Sequence, residues 1–281
     1  MGRYILSAVA LAACYDPTIQ LGGVCTPPDG VCPAGQVCSA EGVCTMPGRD
    51  AAGEDAPRDP DSREIDASSD AGILPAWRLV QVHSTTAPSG GSPSLAVTLT
   101  STLPGDLLVV GIQTAPGATI TNVSDDAESA YSAIVGSMAS NATGDGGVDI
   151  WYTPSANAGA TSVVATTSDA IYDVVVWDFA TAQPSTVDAV KALSDQAAST
   201  MPMAPPVTTE RAGELVIAIA ISAGTVTAIQ TGNEFTNDSK ANGNGFAHLT
   251  SATAAAGDHQ AAWDSNSATY CSTAVAFHVG E

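Results

Sequence analysis

The sequence predicts an all-β protein whose main part is a β-sandwich, and three observations support this prediction. The apolar residues are mostly Ala and Val, with Thr, Ser and Gly between them, and Val and Thr favour half-buried strands. Ten short runs of largely alternating apolar and polar residues follow Trp77, separated by Gly, Asn, Asp and Pro. The two halves of this region also resemble each other in sequence.

The N-terminal segment is typical of an exported protein. Residues 1–13 contain a positive charge at Arg3 and a brief apolar stretch, which is too short to span a bilayer that requires about 20 residues. The sequence LAAC, ending at Cys14, resembles the bacterial lipobox. That resemblance implies cleavage before Cys14 and acylation of its thiol and new N-terminus, which together suffice for membrane anchoring. A plain secretory signal is the alternative.

The expected location follows from the same resemblance. Tyr15, directly after the lipidation site, is not an obvious signal for retention in the inner membrane. We therefore expect an exported, lipid-anchored protein of the outer membrane or cell surface, whose contact with the membrane is its N-terminal lipid.

Residues 14–48 form a small module rich in Cys, Gly and Pro. Four cysteines, Cys25, Cys32, Cys38 and Cys44, lie close together in this module. Export favours disulfides, and the module has too little apolar mass for a core without them. Three connectivities are open, of which we favour the interleaved Cys25–Cys38 and Cys32–Cys44. A zinc site is the alternative, although the segment has no CxxC and no His.

The stretch CPAGQVCSAEGVC within this module resembles small EGF-like or Dickkopf-type cysteine-rich modules. The resemblance is confined to the cysteine-rich part of the chain and implies an extracellular spacer or contact module.

Residues 49–74 are predicted to be a disordered linker. They contain eight acidic and three basic residues and no aromatic residue, and they show no apolar periodicity. A calcium site at Asp55, Asp59 and Asp61 is the alternative, but the EF-hand pattern is absent and prolines interrupt the segment.

Residues 75–281 contain the ten predicted strands and one predicted exception. The strands are LAVTLTST, DLLVVGI, ATITNV, VDIWY, TSVVATT, YDVVVWDF, ELVIAIAIS, TVTAIQ, HQAAWD and STAVAFHV. The exception is segment 187–198, bracketed by Pro184 and Pro202, which the sequence predicts to be a short helix or an irregular excursion. In YDVVVWDF, Trp177 shares a face with Val175 and Phe179, which indicates core packing.

The internal repeat aligns the two halves of this domain. Gly105 aligns with Gly213, each followed by an acid and a long apolar strand, and segment 119–123 matches 225–229. We favour a single jelly-roll-like sandwich because no flexible linker divides the halves. Two tandem Ig-like sandwiches of about 100 residues are the alternative.

The region also resembles a family of β-sandwich domains of similar length in exported bacterial proteins. The residues that carry this resemblance are GDLLVV, the WYTP stretch and the C-terminal AVAF. It implies the sandwich fold and no particular activity.

The charge balance excludes one class of partner. The chain has 29 acidic and 8 basic residues, a net charge of −21, and a field of that sign repels phosphate backbones. Nucleic acid is therefore not expected as a partner.

No catalytic motif or cofactor-binding motif is present in the sequence. The four histidines are expected to be structural or exposed, Cys271 to be a buried inert thiol, and the acidic loops to be solvated, with calcium binding as the alternative. Tyrosines are candidate platforms for sugar stacking, with ordinary packing as the alternative. The histidines are His83, His248, His259 and His278; the loop acids are Asp125, Asp126, Glu128, Asp145 and Asp149; the tyrosines are Tyr131, Tyr152 and Tyr172.

Two functions remain open from the sequence. The first is a non-enzymatic module, tethered to the membrane, that binds an extracellular glycan or protein or has a structural role. The second is a polysaccharide-active hydrolase or lyase, which would need two carboxyl groups about 5–10 Å apart in a groove.

Overall fold

The computed structural model describes residues 37–38, 44–45, 77–142, 146–181, 183–250 and 255–280. The chain divides into two compact units, Met1–Ala67 and Ser68–Glu281. In the first unit, β1 (Val37–Cys38) pairs antiparallel with β2 (Cys44–Thr45). The predicted signal segment, Cys14, Cys25, Cys32 and the linker lie outside the described residues.

The backbone of the cysteine module has one defined register. Cys38 and Cys44 are direct partners across the β1–β2 pair. This register concerns the backbone, and the connectivity of the four cysteines stays a prediction.

The first half of the larger unit, residues 77–181, forms a main sheet and a second layer. Its strands are β3 (Trp77–Thr86), β4 (Ser92–Thr98), β5 (Leu107–Thr114), β6 (Ile120–Asp125), β7 (Ser132–Ala133), β8 (Ala139–Asn141), β9 (Gly146–Thr153) and β10 (Ser162–Thr181). The main sheet, here called sheet A, has the antiparallel order β3-β10-β5-β9-β7. β4 and β6 both pair with the beginning of β10, and β8 pairs with the beginning of β9.

The second half, residues 185–279, repeats this arrangement. Its elements are β11 (Ser185–Ser199), β12 (Val207–Thr209), β13 (Leu215–Ser222), β14 (Val226–Ile229), β15 (Thr236–Ser239), the 3₁₀-helix η1 (Ala241–Gly243), β16 (Gly245–Leu249), β17 (Gly257–His259), β18 (Trp263–Ser265) and β19 (Ala268–Val279). Its main sheet, sheet B, has the antiparallel order β11-β19-β13-β16-β15. The pairs β12–β17 and β14–β18 form its second layer.

The two main sheets therefore share one strand order. The spacing along the chain from the start of β3 to the start of β11 equals the spacing from the start of β5 to the start of β13. Phe179 pairs with Leu107 in sheet A as Phe277 pairs with Leu215 in sheet B. The repeat predicted from the sequence is thus a repeat of strand order and register.

Sheets A and B pack face to face around a central core. Val109, Trp177, Ile219 and Phe277 belong to this core and are fully buried. The opposite face of each sheet is covered by its own second layer, which encloses a separate cluster of buried residues in each half. The predicted all-β sandwich is confirmed, and the two outer clusters are an addition that the sequence pattern did not predict.

Two local predictions need correction. Segment 187–198 is not a helix, because it lies within strand β11 and pairs with β19, with register shifts between Val187 and Ala189 and between Leu193 and Gln196. The two predicted strands TSVVATT and YDVVVWDF are one continuous strand, β10, of 20 residues. No helix in the described part of the chain is long and apolar enough to cross a membrane.

Candidate functional site

An open polar crevice lies where strands β5 and β13 end. Its volume is about 330 Å³, near the lower end of the range for ligand pockets, about 300–1,000 Å³. The repeat places the ends of these two strands side by side, so both halves line the crevice. The lining residues are Gln113, Pro116 and Tyr172 from the first half and Ser222, Ala223, Gly224 and Asn242 from the second.

A fully buried carboxylate lies beneath this crevice. Asp173 on β10 accepts a hydrogen bond from Thr86 Oγ1 at 2.7 Å and one from Asn244 Nδ2 at 3.3 Å. Asn244 Nδ2 also donates to Gln113 Oε1 at 2.9 Å, and its Oδ1 accepts from the Ser222 backbone at 3.0 Å. Burial raises the pKa of Asp173, although the hydrogen bonds from Thr86, Asn244 and Asn242 oppose the shift.

Asn242 lines the crevice and has a left-handed backbone conformation. It lies in η1 at φ +47°, is exposed, and donates through Nδ2 to the Tyr172 carbonyl at 3.5 Å. Residues of this type tolerate the left-handed region. Tyr172 is half-buried, and Gly91 packs so closely against its ring that a Cβ would lie 2.9 Å from Cε1. The ring and the amide therefore both have contacts within the protein at the edge of the crevice.

A second, mostly apolar pocket lies near the same end of the sandwich. Its volume is about 150 Å³, and Ala118, Ile120, Met138 and Val148 contribute to its lining. Asp149 is also part of the lining, and it accepts hydrogen bonds from Ser137 Oγ at 2.7 Å and Trp151 Nε1 at 3.1 Å. Burial raises the pKa of Asp149. Asp145, predicted to flank the same loop, lies outside the described residues.

The predicted acidic loop is held together by its own carboxylates. Asp125 accepts from the Ala127 and Ser129 backbones and from the Tyr131 hydroxyl. Asp126 accepts from the hydroxyl and the backbone of Thr161, and these bonds lower its pKa to about 2. Both carboxylates therefore fix the loop, and Glu128 lies there with a positive φ of 61°.

The histidines have separate partners. His248 Nδ1 lies 2.7 Å from Asp238, which also accepts from Trp177 Nε1 at 2.8 Å, so this buried chain of hydrogen bonds links the two sheets.

The other three histidines lie apart from this chain. His259 contacts Glu234 at 2.6 Å, and His278 lies 3.8 Å from Asp188. His83 is exposed on β3. Within the described ranges, no group of three His, Cys, Asp or Glu side chains is placed to hold a metal ion.

The predicted aromatic and thiol residues divide between core and crevice. Tyr152 packs on Phe277, with ring centroids 5.7 Å apart, and Tyr131 is half-buried with its hydroxyl on Asp125. Burial and that carboxylate raise the pKa of Tyr131. Tyr172 lines the polar crevice. Cys271 is buried, and its thiol lies 3.6 Å from the Gly146 carbonyl.

Sequence reasoning missed the buried carboxyl groups of the β-strands. Asp173 and Asp178 flank the apolar run VVVW in β10, and both are fully buried. A charge within an otherwise buried strand requires a partner, and this was the signal available in the sequence. The partners lie in distant parts of the chain, so local spacing could not identify them.

Comparison with protein-family models, with curated proteins and with solved structures found no match to this chain. The resemblances to lipoproteins and to sandwich domains therefore rest on the sequence motifs quoted above.

Proposed function

We propose that this chain is an exported lipoprotein, anchored through Cys14, whose β-sandwich binds a neutral glycan in the polar crevice without cleaving it. The observation that carries the proposal is the crevice itself. It combines the exposed amide of Asn242 and the partly exposed ring of Tyr172 above the buried, hydrogen-bonded Gln113 and Asp173.

The chemistry of this lining matches the chemistry of a sugar. Amide groups can donate and accept hydrogen bonds, as hydroxyl groups require, and the apolar face of a sugar ring stacks on an aromatic side chain. The net charge of −21 disfavours anionic polymers. A neutral oligosaccharide, or one end of a neutral polymer, is the ligand class that fits.

The rival function, polysaccharide cleavage, needs two carboxyl groups facing a groove. In the described residues the carboxyl pairs that touch, Asp106 with Asp178 and Glu214 with Asp188, are not among the residues that line the crevice. This arrangement favours binding over hydrolysis or elimination.

The binding test uses the full chain with a panel of insoluble polysaccharides and cell-wall preparations, with and without calcium. Both retention of the protein and release of soluble sugar are measured. We expect retention without release. Release of sugar would replace the binding proposal by the enzymatic one, and absence of both would contradict the glycan proposal.

Two crevice variants test where the glycan binds. Tyr172→Ala removes the ring, and Asn242→Gly removes the amide while keeping the left-handed backbone accessible. We expect each to weaken retention about tenfold or more, which corresponds to about 1.4 kcal/mol. Asn122→Ala is the matched control, because it removes an exposed amide on β6, outside the crevice lining. Equal losses in all three variants would exclude the crevice as the site.

The anchoring part of the proposal is tested separately by Cys14→Ser. We expect this variant to move from the membrane fraction to the soluble fraction of the cell and to lose incorporation of labelled fatty acid. A variant that stays membrane-bound would exclude lipid on Cys14 as the anchor.

A further inference from the structure

Asp106 and Asp178 form a buried carboxyl pair at one end of sheet A. Asp106 directly precedes β5, and Asp178 on β10 is the register partner of Leu108, so the two acids are diagonal neighbours on one face of the sheet. The two carboxyl groups are close enough to influence each other's ionisation. Asp106 is 4 % exposed and Asp178 is 0 % exposed.

The hydrogen bonds around this pair leave one oxygen without a fixed donor. Gln81 Nε2 donates to Asp178 Oδ2 at 2.8 Å, and the Leu103 backbone donates to Asp106 Oδ2 at 3.1 Å. Asp178 Oδ1 is buried and has no backbone or side-chain donor. A proton shared with Asp106 would give this oxygen a hydrogen bond, and the same proton would remove the repulsion between two adjacent charges.

Sheet B contains a second pair at the corresponding end. Glu214 takes the place of Asp106 in the second half of the repeat, and it accepts from the Arg211 backbone at 3.1 Å, as Asp106 accepts from Leu103. Its partner is Asp188, the extra residue of a β-bulge in β11, and bulges redirect side chains. Glu214 is 4 % exposed, and its Oε2 is again buried without a fixed donor.

The second pair does not simply copy the first. The residue of β19 that corresponds to Asp178 is Ala276, since Ala276 pairs with Val216 as Asp178 pairs with Leu108. The carboxyl partner in sheet B therefore comes from a different strand. Two different arrangements therefore give the same result, a buried acid directly before a central strand with a second carboxyl group beside it.

We propose that each pair holds one shared proton in the folded protein, so that the two pairs together make the sandwich a pH-responsive structure, tightest in mildly acidic surroundings. The other charged or titratable groups that face Asp178 are Arg78 and Tyr131. Those near the second pair are Arg211, beside Glu214, and His278, whose Nδ1 lies 3.8 Å from Asp188. The two arginines stabilise the negative charge that remains after the proton leaves, which lowers the pKa of the nearby acid. Neither donates a hydrogen bond to the buried oxygen atoms Asp178 Oδ1 and Glu214 Oε2.

The direction of the pH effect follows from linkage. Burial, with the neighbouring carboxyl as a further cause, raises the pKa of Asp178 to about 6 and that of Glu214 to about 7. The folded protein therefore binds protons that the unfolded chain has already released. The stabilisation is fully present below the unfolded pKa values of about 4 and is lost as the pH rises through 6 and 7.

The experiment measures urea unfolding of the full chain between pH 4.5 and 8.5, for the wild type, Asp178→Asn, Glu214→Gln and the double variant. Each amide supplies an N–H where the pair holds its proton. We expect the wild-type folding constant to fall on the order of tenfold to a hundredfold per pair over this range. Each single variant should lose the contribution of one pair, about half of the total fall on a logarithmic scale. The folding constant of the double variant should be nearly independent of pH. The exposed Asp264→Asn should leave the fall unchanged.

A second measurement does not depend on the variants folding. Infrared spectra of the folded wild type should contain a protonated-carboxyl band near pH 6, where ordinary carboxyl groups with pKa values of about 4 are already ionised. The band should disappear by pH 8, with the fold unchanged by circular dichroism. A wild type without this band, or a double variant with the wild-type pH slope, would overturn the proposal.

Discussion

At Gly111 the two sheets approach so closely that a methyl group does not fit. A Cβ at this position would lie 2.5 Å from Ile219 Cδ1 of sheet B and 3.0 Å from the Trp177 ring. We expect Gly111→Ala to destabilise the protein by about 1–3 kcal/mol, the usual cost of overpacking a core. Urea unfolding monitored by Trp fluorescence measures the change.

A double variant identifies the cause of that loss. Ile219→Val removes the Cδ1 atom that the new methyl would meet, at a cost of its own of about 0.5–1.5 kcal/mol. We expect the double variant Gly111→Ala/Ile219→Val to lose less than the sum of the two single losses. Strict additivity would show that Ile219 is not what opposes the methyl group.

At the residue scale, the sequence predicted core residues better than polar ones. Val175, Trp177 and Phe179 are fully buried on one face, as their alternation predicts. Asp173 is also fully buried, yet its partner Asn244 is 71 residues away along the chain. Alternation identifies a buried face, but the groups that satisfy a buried carboxylate depend on tertiary contacts, which one sequence does not reveal.

At the element scale, β11 shows tertiary pairing overriding local propensity. The segment is rich in Ala and contains Lys, Leu and Gln, all good helix formers. It nevertheless forms a strand, because it pairs antiparallel with β19. The β5 and β13 strands were predictable because each is a continuous apolar run after a Gly-acid turn and is buried on both faces.

Val190 distinguishes the observed strand from the short helix, one of the two forms that the sequence predicted for this segment. It lies partly buried on β11 and packs against the central core, so Val190→Ala should cost about 1 kcal/mol. On a solvated helix the same change would stabilise by a few tenths of a kcal/mol, because Ala is the better helix former. The control is the exposed Thr186→Ala on the same strand, expected within about 0.5 kcal/mol of the wild type. Chemical denaturation of the three proteins measures the signs.

At the scale of the whole molecule, the repeat raises the question of whether the halves are independent domains. The tandem arrangement remained open from the sequence, because strand counts and turn spacing are the same for one sandwich or two. The structure contains a central core with ten buried residues from the first half and eight from the second. Which sheet faces which is decided by contacts such as Trp177 on Phe246, with ring centroids 6.3 Å apart, and periodicity within one strand does not specify such contacts.

Because the halves share this core, we expect neither to fold alone. Exposing eight mostly large apolar side chains costs about 1.5–3 kcal/mol each, which exceeds or equals the whole stability of an ordinary domain, about 5–15 kcal/mol. Residues 1–182 and 183–281, expressed separately, should be unfolded or aggregated by circular dichroism and size-exclusion chromatography. Expressed together, they should co-purify as a one-to-one complex that unfolds cooperatively. A fragment that is monomeric alone and unfolds cooperatively would contradict this and support two tandem sandwiches, whose outer clusters would then suffice as cores.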